Sequence, residues 1–178
     1  MGKPVSKLFA TRMEIPALET TTSRAEGGDA QAQFSLGLQF ANDGKAQDYT
    51  QAAQWYLKAA SQDHALAQFN LGVMYTRGQG VRRDDQQALV WISKAAHLGD
   101  PGAQYNLGMR QHRLSLAKAV ENAGEARIEA YKWLRLAAAQ GYGDSEASCG
   151  SVALQMTHEG VADASRRVAE FVAGPAAA

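Results

Sequence analysis

The sequence predicts an all-α repeat protein, about three stacked helix pairs followed by a C-terminal capping helix pair, and three observations lead there. The stretch Ala67 to Ala96, AQFNLGVMYTRGQGVRRDDQQALVWISKAA, reads as an apolar helix, a glycine turn and a second helix that ends in an alanine pair. Its pattern returns on both sides at nearly fixed spacing. The small-residue slot holds Gly37, Gly72, Gly108 and Gly150, at intervals of 35, 36 and 42 residues. The tryptophan slot (Trp55, Trp91, Trp133) and the alanine pair (Ala59-Ala60, Ala95-Ala96, Ala137-Ala138) both repeat at 36 and 42. Three slots in one register are the mark of a repeat array, in which no unit can bury its apolar face alone.

Composition agrees. Hydrophobic residues make up 46% of the 178 and charged residues 20%, enough apolar content to fold, and the Ala- and Gln-rich usage favours helix. Lys plus Arg and Asp plus Glu are both 18, so no overall basic field exists to hold a phosphate backbone, and nucleic acid is not expected as a partner. The single cysteine, Cys149, rules out an intramolecular disulfide framework and reads as a buried structural thiol. No stretch approaches the apolar length of a membrane helix and the N-terminus lacks the apolar core of a secretory signal. A cytoplasmic chain without a membrane span is expected, and a secreted effector is the other location left open.

Residues 1–28 carry Pro4, Pro16, the run Thr20-Thr21-Thr22-Ser23 and Gly27-Gly28, without a sustained helical period, and are expected to form a flexible arm. The first six, Met1-Gly2-Lys3-Pro4-Val5-Ser6, fit the minimal N-myristoylation pattern at Gly2. The solenoid is expected over 29–172, in units of about 29–63, 64–99 and 100–141 and a cap at 142–172. Residues 173–178 form a disordered tail in this reading.

In each unit the first helix puts Ala32, Leu36, Gly37 and Phe40, then Ala67, Leu71, Gly72 and Tyr75, on one face. Phe34 and Leu38, Phe69 and Val73, and Tyr105 and Met109 lie roughly opposite, so first helices are sandwiched between layers. The second helix repeats its apolar residues at Ala52, Trp55, Tyr56, Ala59 and at Ala88, Trp91, Ile92, Ala95. Asp48 and Asp84 mark its start, with Gln51 and Gln87 three residues on as capping-box partners. Asn42-Asp43-Gly44 and Gly78-Gln79-Gly80 supply the turns. The third unit has six extra residues, so its first helix is expected to run on through Leu114, Leu116 and Val120 before turning at Asn122-Ala123-Gly124. After Gly150 the tryptophan and alanine pair are missing, and a short helix near Ala162 to Val172 is expected to cap the stack.

With these residues in place, the unit resembles the Sel-one-like repeat (SLR), a relative of the tetratricopeptide repeat. The match runs through Ala67-Gln68, Leu71-Gly72, Tyr75, Gly78, Gly80-Val81, Asp84, Ala88, Trp91 and Lys94-Ala95-Ala96, and the resemblance extends from Asp29 to Gly150. A tetratricopeptide array is the nearest alternative, but its period is about 34 residues. The resemblance implies an α/α superhelical solenoid of antiparallel helix pairs that holds protein partners, often as an adaptor in bacterial signalling, envelope or host-interaction pathways.

The search for chemistry returns little. His64, His97, His112 and His158 are scattered without a short paired motif, so no metal site is expected. Gly78-Gln79-Gly80 follows no strand and is a turn rather than a phosphate loop. Cys149 and Ser151 flank Gly150 on a packed helix without an evident histidine. No cofactor and no enzymatic activity are expected. Polar residues recurring on the first-helix layer are better candidates for contact with a partner: Asn42, Asn70 and Asn106, Arg77 and Arg113, and with them Arg110. Amide and guanidinium groups along one wall can clamp peptide backbone or carboxylates. The expected function is a noncatalytic adaptor for a peptide or protein, monomeric or weakly self-associating. The alternatives are a self-assembling repeat protein and an adaptor anchored through an acylated Gly2.

Overall fold

The computed structural model describes residues 15–42, 48–117 and 122–174, with side chains from residue 21 onward. The described residues form helices and connecting turns, without strand. In order these are α1 (Ile15–Glu26), α2 (Ala30–Asn42), α3 (Tyr49–Ala60), α4 (Ala65–Arg77), α5 (Asp85–His97), α6 (Pro101–Leu116), α7 (Ala123–Ala139), α8 (Ser145–Ala153) and α9 (His158–Ala173). They gather into two compact units, one up to Ala88 and one from Leu89, the boundary falling inside α5.

Side-chain acceptors set the helix starts. Asp48 accepts the Gln51 backbone N–H at 2.9 Å while the Gln51 amide reaches back to the same carboxylate at 3.0 Å. Asp84 accepts the N–H groups of Gln86 and Gln87, both at 2.9 Å. Each first helix is capped too, from one repeated slot: Asp29 for α2, His64 Nδ1 for α4 and Asp100 for α6. The turn after α4 needs both its glycines. Gly78 closes the helix in the left-handed conformation (φ 68°), and at Gly80 (φ 67°) a Cβ would lie 2.0 Å from the Tyr49 carbonyl oxygen.

In the first unit α2 and α3 run antiparallel, since Gln62 beyond the end of α3 meets Gln33 at the start of α2 while Gly37 faces Tyr56. A Cβ on Gly37 would stand 2.5 Å from the Tyr56 ring, so the small side chain is what permits the close approach. In the second unit α6 and α7 pair the same way, Gln104 meeting Gln140 and Gly108 facing Leu134. Buried Ala130, Leu134, Cys149 and Val152 join α7 to α8. A second repeated device ties each first helix backward: the buried amides of Gln33, Gln68 and Gln104 donate to the carbonyls of Ala25, Ala60 and Ala96 at 3.0, 2.9 and 3.2 Å. Each bond satisfies a carbonyl in the last turn of the preceding helix.

Three expectations from sequence change. The stretch read as an arm contains α1, whose Ala25 is 1% exposed against Ala32 and Leu36 and whose Arg24 pairs with Asp29. Packing overrides the weak helix propensity of its threonines. Gly2 and the rest of residues 1–14 lie outside the described residues. In the third repeat α6 ends at Leu116, Val120 lies outside the described residues, and Ala123 and Gly124 open α7 instead of forming a turn. Likewise α9 begins at His158, four residues earlier than expected, with Thr157 capping it at Gly160 N. Glycine is tolerated at both places because first-turn N–H groups have no partner within the helix. The terminal helix α9 lies against α7. There Phe171 meets Trp133 edge-on at 5.4 Å, and Arg167 binds Glu125 and Glu129 at 2.5 and 2.9 Å.

Candidate functional site

The first unit holds a groove of about 320 Å³ between the C-terminal halves of α2 and α4, with α3 beneath. From α4 it takes Asn70, Val73, Met74 and Arg77, at helical spacing i, i+3, i+4 and i+7, followed by Gln79. From α2 come Leu38, Ala41 and Asn42, at i, i+3 and i+4, and from α3 Tyr49 and Tyr56. One stripe of each first helix therefore faces the groove. Its position follows from the pair geometry: Gly37 lets Tyr56 press against α2, and the ring then floors the space toward α4.

The polar groups are sorted along it. Tyr56 is buried, its side chain hydrogen-bonded to Asn70; burial pushes the phenol pKa up and the Asn70 bond offsets part of that rise. Leu38, Val73 and Met74 give an apolar wall. Arg77, in the last turn of α4, is exposed; among the described residues it is the only charged side chain lining the groove, and it has no acidic partner there.

Three of the six residues expected from sequence to meet a partner, Asn42, Asn70 and Arg77, thus share one groove. The other three, Asn106, Arg110 and Arg113, sit on α6 in the second unit and do not line it. The Asn106 amide donates to the Gly102 carbonyl of its own helix at 2.9 Å, and Arg110 and Arg113 are exposed. Sequence reasoning did not single out Tyr49, Tyr56, Met74 and Gln79 as site residues. A signal existed for the wall, since Leu38 and Val73 both follow the signature glycine.

Cys149 is buried and burial raises its thiol pKa, which disfavours the thiolate a nucleophile requires. Among the described residues no three His, Cys, Asp or Glu side chains converge to hold a metal ion, and no helix is long and apolar enough to cross a membrane. Burial alone would raise the pKa of Glu129, but its bonds to Lys132 and Arg167 outweigh this and hold it low, as suits a clasp between α7 and α9. His64, unremarkable in sequence, caps α4 through Nδ1, stacks on Phe34 at 4.6 Å and approaches the Gln31 amide oxygen through Nε2 at 3.1 Å.

Three consecutive stretches, residues 30–64, 65–100 and 101–142, match the Sel1 repeat family. Among solved structures the chain is similar to a protective antigen present in uropathogenic Escherichia coli strains, which displays an SLR fold. The two are 34% identical with a TM-score of 0.67, over 84% of this chain and 33% of the antigen. The chain therefore spans a third of that antigen's length. It is also similar to a Sel1 repeat protein from Oxalobacter formigenes, at 33% identity and a TM-score of 0.63, over 76% of this chain and 98% of the other. No curated protein matches the chain.

Proposed function

We propose, because this chain belongs to the Sel1 repeat family, that it is a noncatalytic adaptor holding a peptide or protein surface on the first-helix face of its repeats. Sel1 repeat proteins are generally protein-interaction modules and typically non-enzymatic. The observation that carries the reading is the groove between α2 and α4, where Asn42, Asn70 and Arg77 stand beside an apolar wall. Amides that can meet peptide backbone, one cation and apolar side chains together suit a short stretch of another protein. Proteins captured by the native chain and by Arg77→Glu are compared, with melting curves recorded for both. Loss of a specific partner at an unchanged melting curve supports the groove, and retained capture contradicts it.

A second reading, self-assembly, is favoured by α8. Leu154 at its end is 91% exposed, and no described residue covers Gly150. Sedimentation across a range of concentrations separates the two readings, since a strict monomer argues against assembly.

A further inference from the structure

Resting on that groove reading, we propose that the occupant is an extended acidic peptide in which an apolar residue stands two positions from a glutamate or aspartate. The apolar side chain lies on Leu38 and Val73, and the carboxylate meets Arg77.

Charge complementarity fixes the acid. Among the described residues Arg77 is the one charged side chain lining the groove and has no acidic partner, and it stands at the end where Asn42 also lies. A guanidinium offers two parallel N–H donors that match a carboxylate, the geometry that makes such pairs stronger than ordinary hydrogen bonds. Among the described lining residues no carboxylate competes for that fork.

Spacing fixes the rest. Val73 and Arg77 are four residues apart on α4, about 6 Å along its axis. Side chains at i and i+2 of an extended chain point the same way, about 6.7 Å apart. A peptide lying along α4 therefore presents one side chain to the apolar wall and the second-next to Arg77. From Asn70 to Arg77 the groove runs about 10 Å, which is three extended residues. The Asn70 amide stands at the other end of that span, where it can reach peptide backbone. A helix of the same three residues would rise only about 4.5 Å and leave half the groove empty.

The test titrates isotope-labelled full chain with an acetylated, amidated peptide, Gly-Leu-Ser-Glu-Gly, followed by the amide NMR signals of Asn70, Val73 and Arg77. Companion peptides carry Gln for Glu, carry Ala for Leu, or end in a free carboxylate without the Glu. The glutamate peptide is expected to shift all three signals and to bind at least about tenfold more tightly than the glutamine peptide. Loss of Leu should weaken binding too, and added salt should weaken the glutamate peptide but not its glutamine counterpart. Arg77→Gln, with an unchanged melting curve, should erase the difference between the glutamate and glutamine peptides.

Equal affinities for those two peptides overturn the acidic specificity while leaving the groove as a peptide site. Tighter binding of the free-carboxylate peptide overturns it in favour of a chain terminus. Absence of shifts with every peptide overturns the inference, whereas the broader reading falls only if Arg77→Glu also retains its partner.

Discussion

The glycine of the repeat signature occurs in α2 and α6 and again in α8, and its surroundings differ sharply. At Gly37 and Gly108 a Cβ would come within 2.5 and 2.6 Å of Tyr56 and Leu134, the second helix of the same pair. At Gly150 nothing among the described residues stands within 4 Å of that position. The local sequence is in register in all three, since Ser145 and Cys149 are buried at the slots filled by Ala32 and Leu36 or by Ala103 and Leu107. What differs is the partner: α9 turns back onto α7 and leaves that side of α8 open. The tryptophan slot shows the reverse. Trp133 is 5% exposed beneath Phe171 and beside His97, whereas Trp55 is only half-buried, with Lys58 Nζ 3.8 Å above its ring. Trp55 does meet the Ala25, Ala32 and Leu36 cluster but lacks a further helix over it among the described residues, so a motif residue carries most weight where neighbouring elements close on it from two sides.

Substitutions can break this comparison. Trp133→Ala should show the largest loss, about 3–5 kcal/mol in urea unfolding, because it empties a contact closed on two sides. Trp55→Ala should lose about 1–2 kcal/mol, in proportion to its smaller buried area. Equal losses would mean that α9 does not protect its slot. Gly108→Leu should cost about 3 kcal/mol, since the clash includes the Leu134 backbone nitrogen at 3.1 Å and a side-chain shift alone cannot relieve it. Gly150→Leu should show no loss in the same assay, a leucine being a better helix former than glycine by roughly 0.5–1 kcal/mol. A large loss there would place a helix over α8.

The smallest effect concerns the cap slot, where Asp29 and Asp100 flank a histidine. Burial lowers the pKa of His64 below the ordinary value of about 6.5, and its Nδ1 can accept the Ala67 N–H only while unprotonated. A base with a depressed folded pKa contributes its full stability above the unfolded value and loses it as pH falls toward the folded one. The melting temperature of the native chain should therefore drop more steeply between about pH 7 and pH 5 than that of His64→Asn, which keeps a cap acceptor that does not titrate. Parallel curves would contradict the role.

Much of the fold was legible because it is written locally. Asp48 and Asp84 announce helix starts, Gly78 and Gly80 a turn, and the spacing of Gly, Trp and Ala-Ala the pairing of helices. The features that escaped depend on distant partners. The threonine-rich α1 is helical because Ala25 meets Ala32 and Leu36 across a turn. Gln68 was visible in the Ala67-Gln68 motif, but its equivalence to Gln33 and Gln104 and the hydrogen bonds of all three to a preceding helix end were not. The docking of α9 on α7 rests on Arg167 and Phe171, contacts some forty residues away in sequence that no local period encodes. In the groove, Asn42, Asn70 and Arg77 were legible because first-helix residues recur by slot. Tyr56 was not, since its place in the floor depends on α3 crossing between α2 and α4.

The most direct test of the adaptor reading places a photoreactive amino acid at Leu38 in the groove or at Ser151 on α8 and irradiates each full-length chain with host lysate. A discrete adduct with another protein is expected from the Leu38 position, suppressed by the glutamate peptide and not by its glutamine counterpart. Adducts from Ser151 alone, or from Leu38 only to a second copy of this chain, would contradict it.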